Sequence, residues 1–233
     1  MIDVLNRLNI EEAEKKADIL MHYMECILEK NESVNLTAIT DREDFVQKHF
    51  VDSLSCANEG EFLNADRIID VGTGGGFPGI PLAVCFPEKE FVLMDSLAKR
   101  INIIRELCVK LGIENVSVVH GRAEDLGKQE GLRESFDLCV SRAVANMSTL
   151  CEYCLPFVRV GGCFIAYKGP DCESEINDAL GAIRVLGGKL DRLDEPNSRA
   201  QKGYNHRLAF INKVEATPEK YPRKAGTPSK KPL

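Results

Sequence analysis

Residues 68–79 constrain the fold most. The apolar run Ile68-Ile69-Asp70-Val71 leads directly into Gly72-Thr73-Gly74-Gly75-Gly76-Phe77-Pro78-Gly79 and then into a helical segment. A strand, a glycine turn and a helix in that order open a doubly wound α/β sheet, and the glycines let a ligand approach the backbone. The chain then repeats the alternation: short apolar runs at residues 67–71, 91–94, 116–119, 136–140 and 163–167 predict parallel strands with helices between them. Residues 189–193 and 208–211 predict two last strands, paired antiparallel because the link between them is too turn-like for a crossover helix. The expectation is a mostly parallel seven-stranded sheet with helices on both faces.

Ahead of the first strand, Ala13, Ala17, Leu20, Met24 and Ile27 recur at helical spacing, and a short helix is expected over residues 41–49, with Asp41 as cap and Phe45 and Phe50 facing inward. Residues 1–60 therefore read as a helical cap, 61–212 as the α/β core and 213–233 as a tail, all within one compact unit. A chain of 233 residues fits one such domain with modest additions. Inside the core, Leu97, Ile101, Ile104, Cys108 and Leu111 form one stripe that Gly112 stops. Gly161-Gly162 is expected to end the next helix, and Ile176, Leu180, Ile183 and Leu186 mark another, stopped by Gly187-Gly188.

The tail carries six Lys or Arg against two Glu, a net +4, so the remainder sums to −10 within a total of −6. With four prolines it reads as flexible, either a solubilising end or an arm for phosphate backbones. No run approaches a transmembrane span and no secretion signal opens the chain, so a cytoplasmic protein is expected. The nine cysteines then read as reduced. Cys151 and Cys154 lack a second CxxC or a histidine at ligand spacing, so no metal is expected.

Gly74–Gly79 also satisfies the dinucleotide fingerprint G-x-G-x-x-G, and charge separates the two readings. A pyrophosphate would meet the Asp70 carboxylate beside the loop, whereas the ammonium and sulfonium of S-adenosylmethionine are attracted by it. Asp95, after the second strand, suits two ribose hydroxyls, and His120-Gly121-Arg122-Ala123-Glu124-Asp125, after the third, suits an adenine edge. Asp70, Gly72, Gly74, Gly76 and Asp95 thus fall in order for this methyl donor, with S-adenosylhomocysteine as its product.

Longer stretches carry a resemblance: Asn35-Leu36-Thr37-Ala38, His49-Phe50-Val51-Asp52-Ser53-Leu54, Asp70 through Pro81, Asp95-Ser96-Leu97-Ala98-Lys99-Arg100, Ser141-Arg142-Ala143 and Tyr221-Pro222-Arg223-Lys224-Ala225-Gly226-Thr227-Pro228. Over nearly its whole length the chain resembles the glucose-inhibited division protein B family, methyltransferases acting on a guanine N7 of small-subunit (16S) ribosomal RNA. The resemblance implies a Rossmann-like class I S-adenosylmethionine-dependent fold. It implies cofactor contacts at Gly72, Phe77, Ala123, Glu124 and Arg142, with Asp95 for the ribose. It places basic residues around the RNA at Lys99, Arg122, Arg142, Lys168 and Arg207. Arg100, Arg223 and Lys224 extend that basic face. Arg142 and Lys168 are expected to anchor phosphate or guanine O6, with Arg142 pointing into the cleft rather than the core, and His206 lies beside Arg207. A ribosomal particle is the expected partner of a monomeric enzyme that needs no membrane.

The chemistry agrees with the residues. The loop after the fourth strand is Ser141-Arg142-Ala143-Val144, without the Asn/Asp-Pro-Pro-aromatic pattern of exocyclic-amine methylation, and no Pro-Cys pair supplies a nucleophile for pyrimidine C5. Guanine N7 carries an in-plane lone pair and no proton, so alignment suffices without a general base. Other readings are a methyltransferase for another RNA, a methyltransferase for a small molecule, which the basic tail disfavours, an NAD enzyme, which Asp70 disfavours, and a binding module without catalysis.

Overall fold

The computed structural model describes residues 1–194 and 207–233. Its strands are β1 (Arg67–Val71), β2 (Glu90–Asp95), β3 (Val116–His120), β4 (Phe136–Arg142), β5 (Val158–Lys168), β6 (Gly188–Asp194) and β7 (Arg207–Lys213). They form one sheet in the order β3-β2-β1-β4-β5-β7-β6, parallel except for β7, which runs antiparallel to both its neighbours. All seven runs read from the sequence are strands. The order reverses between β1 and β4, which opens a crevice beyond their carboxyl ends.

Period-two alternation sorts the strand residues into two cores. Ile68, Phe91, Leu93 and Val140 face one cluster, whereas Ile69, Val71, Val92, Met94 and Cys139 face the other. The first is covered by α1 (Ile2–Arg7), α2 (Ala13–Asn31) and a short α3 (Arg42–Phe45) that continues through a π-turn at Val46–Val51 and a 3₁₀ turn at Leu54–Cys56 into α4 (Gly60–Leu63). After the glycine loop, α5 (Gly79–Cys85) and α6 (Ala98–Leu111) cover the same face. The second is covered by α7 (Ala123–Leu126), α8 (Met147–Cys154), α9 (Glu173–Asp178) and α10 (Leu180–Val185), and a last turn, α11 (Thr227–Lys230), lies in the tail.

Local chemistry explains the boundaries. The Asp41 carboxylate caps α3 by accepting the Asp44 N–H at 2.9 Å, and Phe45 and Phe50 are fully buried. The five apolar positions of α2 are buried, each side chain contributing on the order of 1–3 kcal/mol. Gly112 ends α6 with φ +65°, which a residue with a Cβ adopts only under strain.

Three expectations change. Gly161-Gly162 lies inside β5 and ends no helix: β4 is irregular between Phe136 and Leu138, and a Cβ on Gly162 would run into the Asp137 carbonyl. The helix before it ends in the turn Leu155–Phe157. The stripe through Ile176 and Leu186 breaks at Ala179 into α9 and α10, leaving Leu180 exposed, and Leu97 is exposed at the start of α6.

The tail is packed on the second face, which overturns the flexible arm. Arg133 donates to the carbonyls of Thr217 and Tyr221 at 2.6 and 2.9 Å, and Arg223 grips both oxygens of the fully buried Glu152. Thr149 Oγ1 donates to the Pro228 carbonyl at 3.0 Å. All nine cysteines are free and buried, and among the described residues no helix is long and apolar enough to cross a membrane. Burial raises the thiols of Cys56, Cys85 and Cys163 to about 12.

Candidate active site

The glycine loop is held from three sides. The amides of Gly72 and Thr73 donate to the Met94 carbonyl, and Gly72, Gly74 and Gly76 all have positive φ. At Gly72 a Cβ would also collide with Val144, so this turn admits only glycine. Beneath it, Asp70 is fully buried, and its Oδ2 accepts from Thr73 Oγ1 at 2.7 Å and the Gly79 amide at 2.8 Å. Burial pushes its carboxyl up to about 6, against the pull of those two hydrogen bonds. From the cap, Tyr23 donates its hydroxyl to the Gly75 carbonyl at 2.9 Å.

Beyond the strand ends opens a cleft of about 400 Å³. Gly72, Asp95, Arg122, Ala123 and Glu124 line it, together with Ala143 and Val144 after β4. Asp95 accepts the Gly74 amide at 3.0 Å on one oxygen and the Leu97 amide at 2.8 Å on the other, and Arg100 stands 3.5 Å away. A carboxylate has about four acceptor sites, so Asp95 is fixed in place and still has capacity for hydroxyl groups. Glu124 is almost fully buried, and its Oε1 accepts the Gly226 amide at 2.7 Å. Buried acceptors around exposed loop backbone suit a nucleoside bearing a positive group. Asp70 Oδ1, buried without a hydrogen-bond partner among the described residues, adds an unused acceptor under the loop.

Other expected contacts are arranged differently. Asp70, Gly74, Gly76 and Phe77 do not line the cleft; Asp70 acts as the tie under the loop. The Phe77 ring lies in the cap, stacked on His49 with centroids 4.3 Å apart and planes within 4°.

A second cleft, of about 310 Å³, contains Lys48, His49, Arg142, Ala143, Tyr167 and Lys168. Ala143 lines both clefts and holds φ +56°, a conformation that costs a non-glycine residue about 1–2 kcal/mol. Arg142 lines this cleft, but its guanidinium also reaches back into the cap: it is ion-paired with the fully buried Asp52, donates to the Lys48 carbonyl at 3.1 Å and lies 3.3 Å from His49 Nδ1. The reading that it avoids the core is corrected, because it joins β4 to the cap. A guanidinium only donates, so His49 Nδ1 accepts and its Nε2–H donates to Thr37 Oγ1 at 2.7 Å. Burial first, and the Arg142 charge second, hold the His49 imidazole down to about 3. Lys168 is bound to Glu175 at 2.5 Å and to the Ala145 carbonyl at 3.2 Å.

Of the expected RNA contacts, Lys99, Arg122 and Lys224 are exposed. Arg100 is half-buried against Asp95 and the Asn35 carbonyl, Arg207 pairs with Glu173, and Arg223 is committed to Glu152. His206 lies outside the described residues. Sequence reasoning missed Tyr153, Gly226 and Ser229 in the first cleft and Lys48 and His49 in the second. The Thr37 and His49–Asp52 stretches had signalled the cap side of the second cleft without assigning it a task.

The model of the family described as rRNA small subunit methyltransferase G matches residues 16–201. A ribosomal RNA small subunit methyltransferase G from Alkaliphilus metalliredigens is 50% identical over 214 residues, covering 92% of this chain and 89% of the relative. One from Clostridium novyi is 45% identical over 235 residues, covering 99% and 96%. An O-methyltransferase from Bacillus cereus, solved in complex with S-adenosylhomocysteine, matches in fold with a TM-score of 0.55, at 18% identity over 82% of this chain and 91% of that one. With two close relatives aligned almost end to end and a family model spanning cap and core, the chain belongs to the rRNA small subunit methyltransferase G family.

Proposed function

We propose that the chain transfers the methyl group of S-adenosylmethionine to N7 of a guanine in small-subunit ribosomal RNA, in the cytoplasm and on a ribosomal particle. The observation that carries this reading is the meeting of two clefts at Ala143, one with nucleoside-type acceptors and one with cationic walls. When bound, S-adenosylmethionine supplies an electrophilic methyl on a sulfonium. Asp95 would accept the ribose hydroxyls, and the Ala123 amide with Glu124 would meet the adenine edge. Gly72 leaves bare backbone at the cleft, where a Cβ would collide with Val144.

In the second cleft, Arg142 and Lys168 offer donors for guanine O6 or a phosphate. His49, held neutral, is a weak base at physiological pH, and none of the nine buried thiols lines either cleft. Such a site positions an acceptor that is already nucleophilic. In A-form RNA, N7 lies in a groove too narrow for side chains, so the target base would be unpaired or extruded. One chain lines both clefts, so a monomer suffices.

Single-turnover methylation of hypomethylated small subunits with labelled donor, followed by mapping of the modified base, tests the reading. Label on one guanine N7 is the expected result, and label on another atom class or in no RNA would overturn it. Asp95→Ala is expected to weaken donor binding by about 1–3 kcal/mol, measured by calorimetry.

A further inference from the structure

We propose that the carboxyl-terminal segment is part of the methyl-donor site, with Gly226 and Ser229 forming the wall that closes the adenosine end of the cleft. The inference rests on the reading of the first cleft as the donor site. It starts from geometry: Gly226 and Ser229 line the same cleft as Asp95, Ala123 and Glu124, although more than a hundred residues separate them in sequence.

The segment is built into that place. Glu124, the residue assigned to the adenine edge, accepts the Gly226 amide at 2.7 Å, which fixes one carboxylate oxygen and orients the other. Gly226 itself has φ +79°, which turns the chain back into α11. Within that turn, Ser229 Oγ donates to the Gly226 carbonyl at 3.3 Å, and Ser229 lines the cleft together with Tyr153. Burial first, and the nearby Glu124 charge second, raise the Tyr153 phenol, so it stays protonated and able to donate. Just upstream, the Arg223–Glu152 pair anchors the segment to α8, and the Pro228 carbonyl is held by Thr149.

A nucleoside in this cleft would therefore have strand ends on one side and the chain terminus on the other. Of the tail's cations, Lys213 is bound to Glu134 and Arg223 to Glu152. The segment's task is donor recognition, and shortening it should change donor affinity before RNA affinity.

Deleting residues 226–233 keeps Arg223 and its partner and removes the wall. Calorimetry of this variant with S-adenosylhomocysteine should show binding weakened on the order of tenfold, the loss expected for a hydrogen-bonded wall. Adenosine alone should lose a similar factor, since the segment touches the nucleoside end. In the full-length chain, Ser229→Trp should fill the cleft and give the same loss, which keeps the test open if the deletion unfolds by circular dichroism. Wild-type affinity in either folded variant would overturn the proposal, as would a loss for S-adenosylhomocysteine that spares adenosine. Asp95→Ala run in parallel separates the two levels: if it weakens binding while the tail variants do not, only the tail's role falls. If Asp95→Ala also binds normally, the cleft is not the donor site and both readings fall.

Discussion

At the scale of single residues, the cap and core are joined through Arg142, whose guanidinium neutralises a carboxylate that has no exposure to water. Arg142→Ala would remove the guanidinium paired with the buried Asp52, and a loss of about 3–5 kcal/mol in folding stability is expected from denaturant titration. Arg142→Met combined with Asp52→Leu should recover most of that loss while methyl transfer stays impaired. A variant as stable as wild type after Arg142→Ala alone would show that the pair carries no structural load. Acid sensitivity should centre on His49. Its folded value is depressed to about 3 from 6.5, so only the unfolded chain takes up a proton in that window. The contribution is fully present above 6.5 and is lost as pH falls toward 3. Asp70 acts with the opposite sign: raised to about 6 from 3.8, it favours the fold at low pH and loses that contribution as pH rises through 6. Melting curves of wild type and His49→Gln should therefore diverge on acidification through 6.5, and parallel curves would rule out His49 as the source.

At the scale of elements, α2 serves the glycine loop as well as the core, because Tyr23 reaches the Gly75 carbonyl across 52 positions of sequence. Tyr23→Phe is expected to lower stability by about 1 kcal/mol in thermal unfolding and to weaken donor binding by a similar amount, since the loop loses its tie from the cap. Long-range pairs of this kind mark the limit of what the sequence conveys. All seven strands were legible because apolar runs and glycine punctuation are local signals, and so was the order Gly72, Asp95, Glu124 along successive strand ends. The ends of β5 were not: Gly162 looks like a helix stop until the irregularity in β4 brings the Asp137 carbonyl against it. The tail was misread for the same reason. Its proline and lysine content describes a free chain, whereas its docking depends on Glu152, 71 positions away, buried on α8 and needing a cation. Phe77 was expected at the cofactor from the resemblance, whereas its ring serves the cap, which no local pattern reports.

At the scale of the whole molecule, a chain with net charge −6 must meet RNA through a local face, and the exposed Lys99 and Arg122 are proposed to belong to it. Lys99→Glu and Arg122→Glu are expected to weaken RNA binding and to lower the salt dependence by roughly 0.7–0.9 per lost phosphate contact, measured by titration across salt. For Lys99→Glu, donor affinity should be unchanged, because that side chain is outside the cleft. An unaltered salt slope in both variants would place the RNA elsewhere. The two apolar cores on either side of the sheet have a consequence for how the molecule opens. Cys26, Cys56, Cys85, Cys108 and Cys163 belong to one core, and Cys139, Cys151, Cys154 and Cys172 to the other. A maleimide can reach a buried thiol only during an opening, so the nine alkylation rates become nine clocks, and the spread between the two groups times the excursions of each face of the sheet separately.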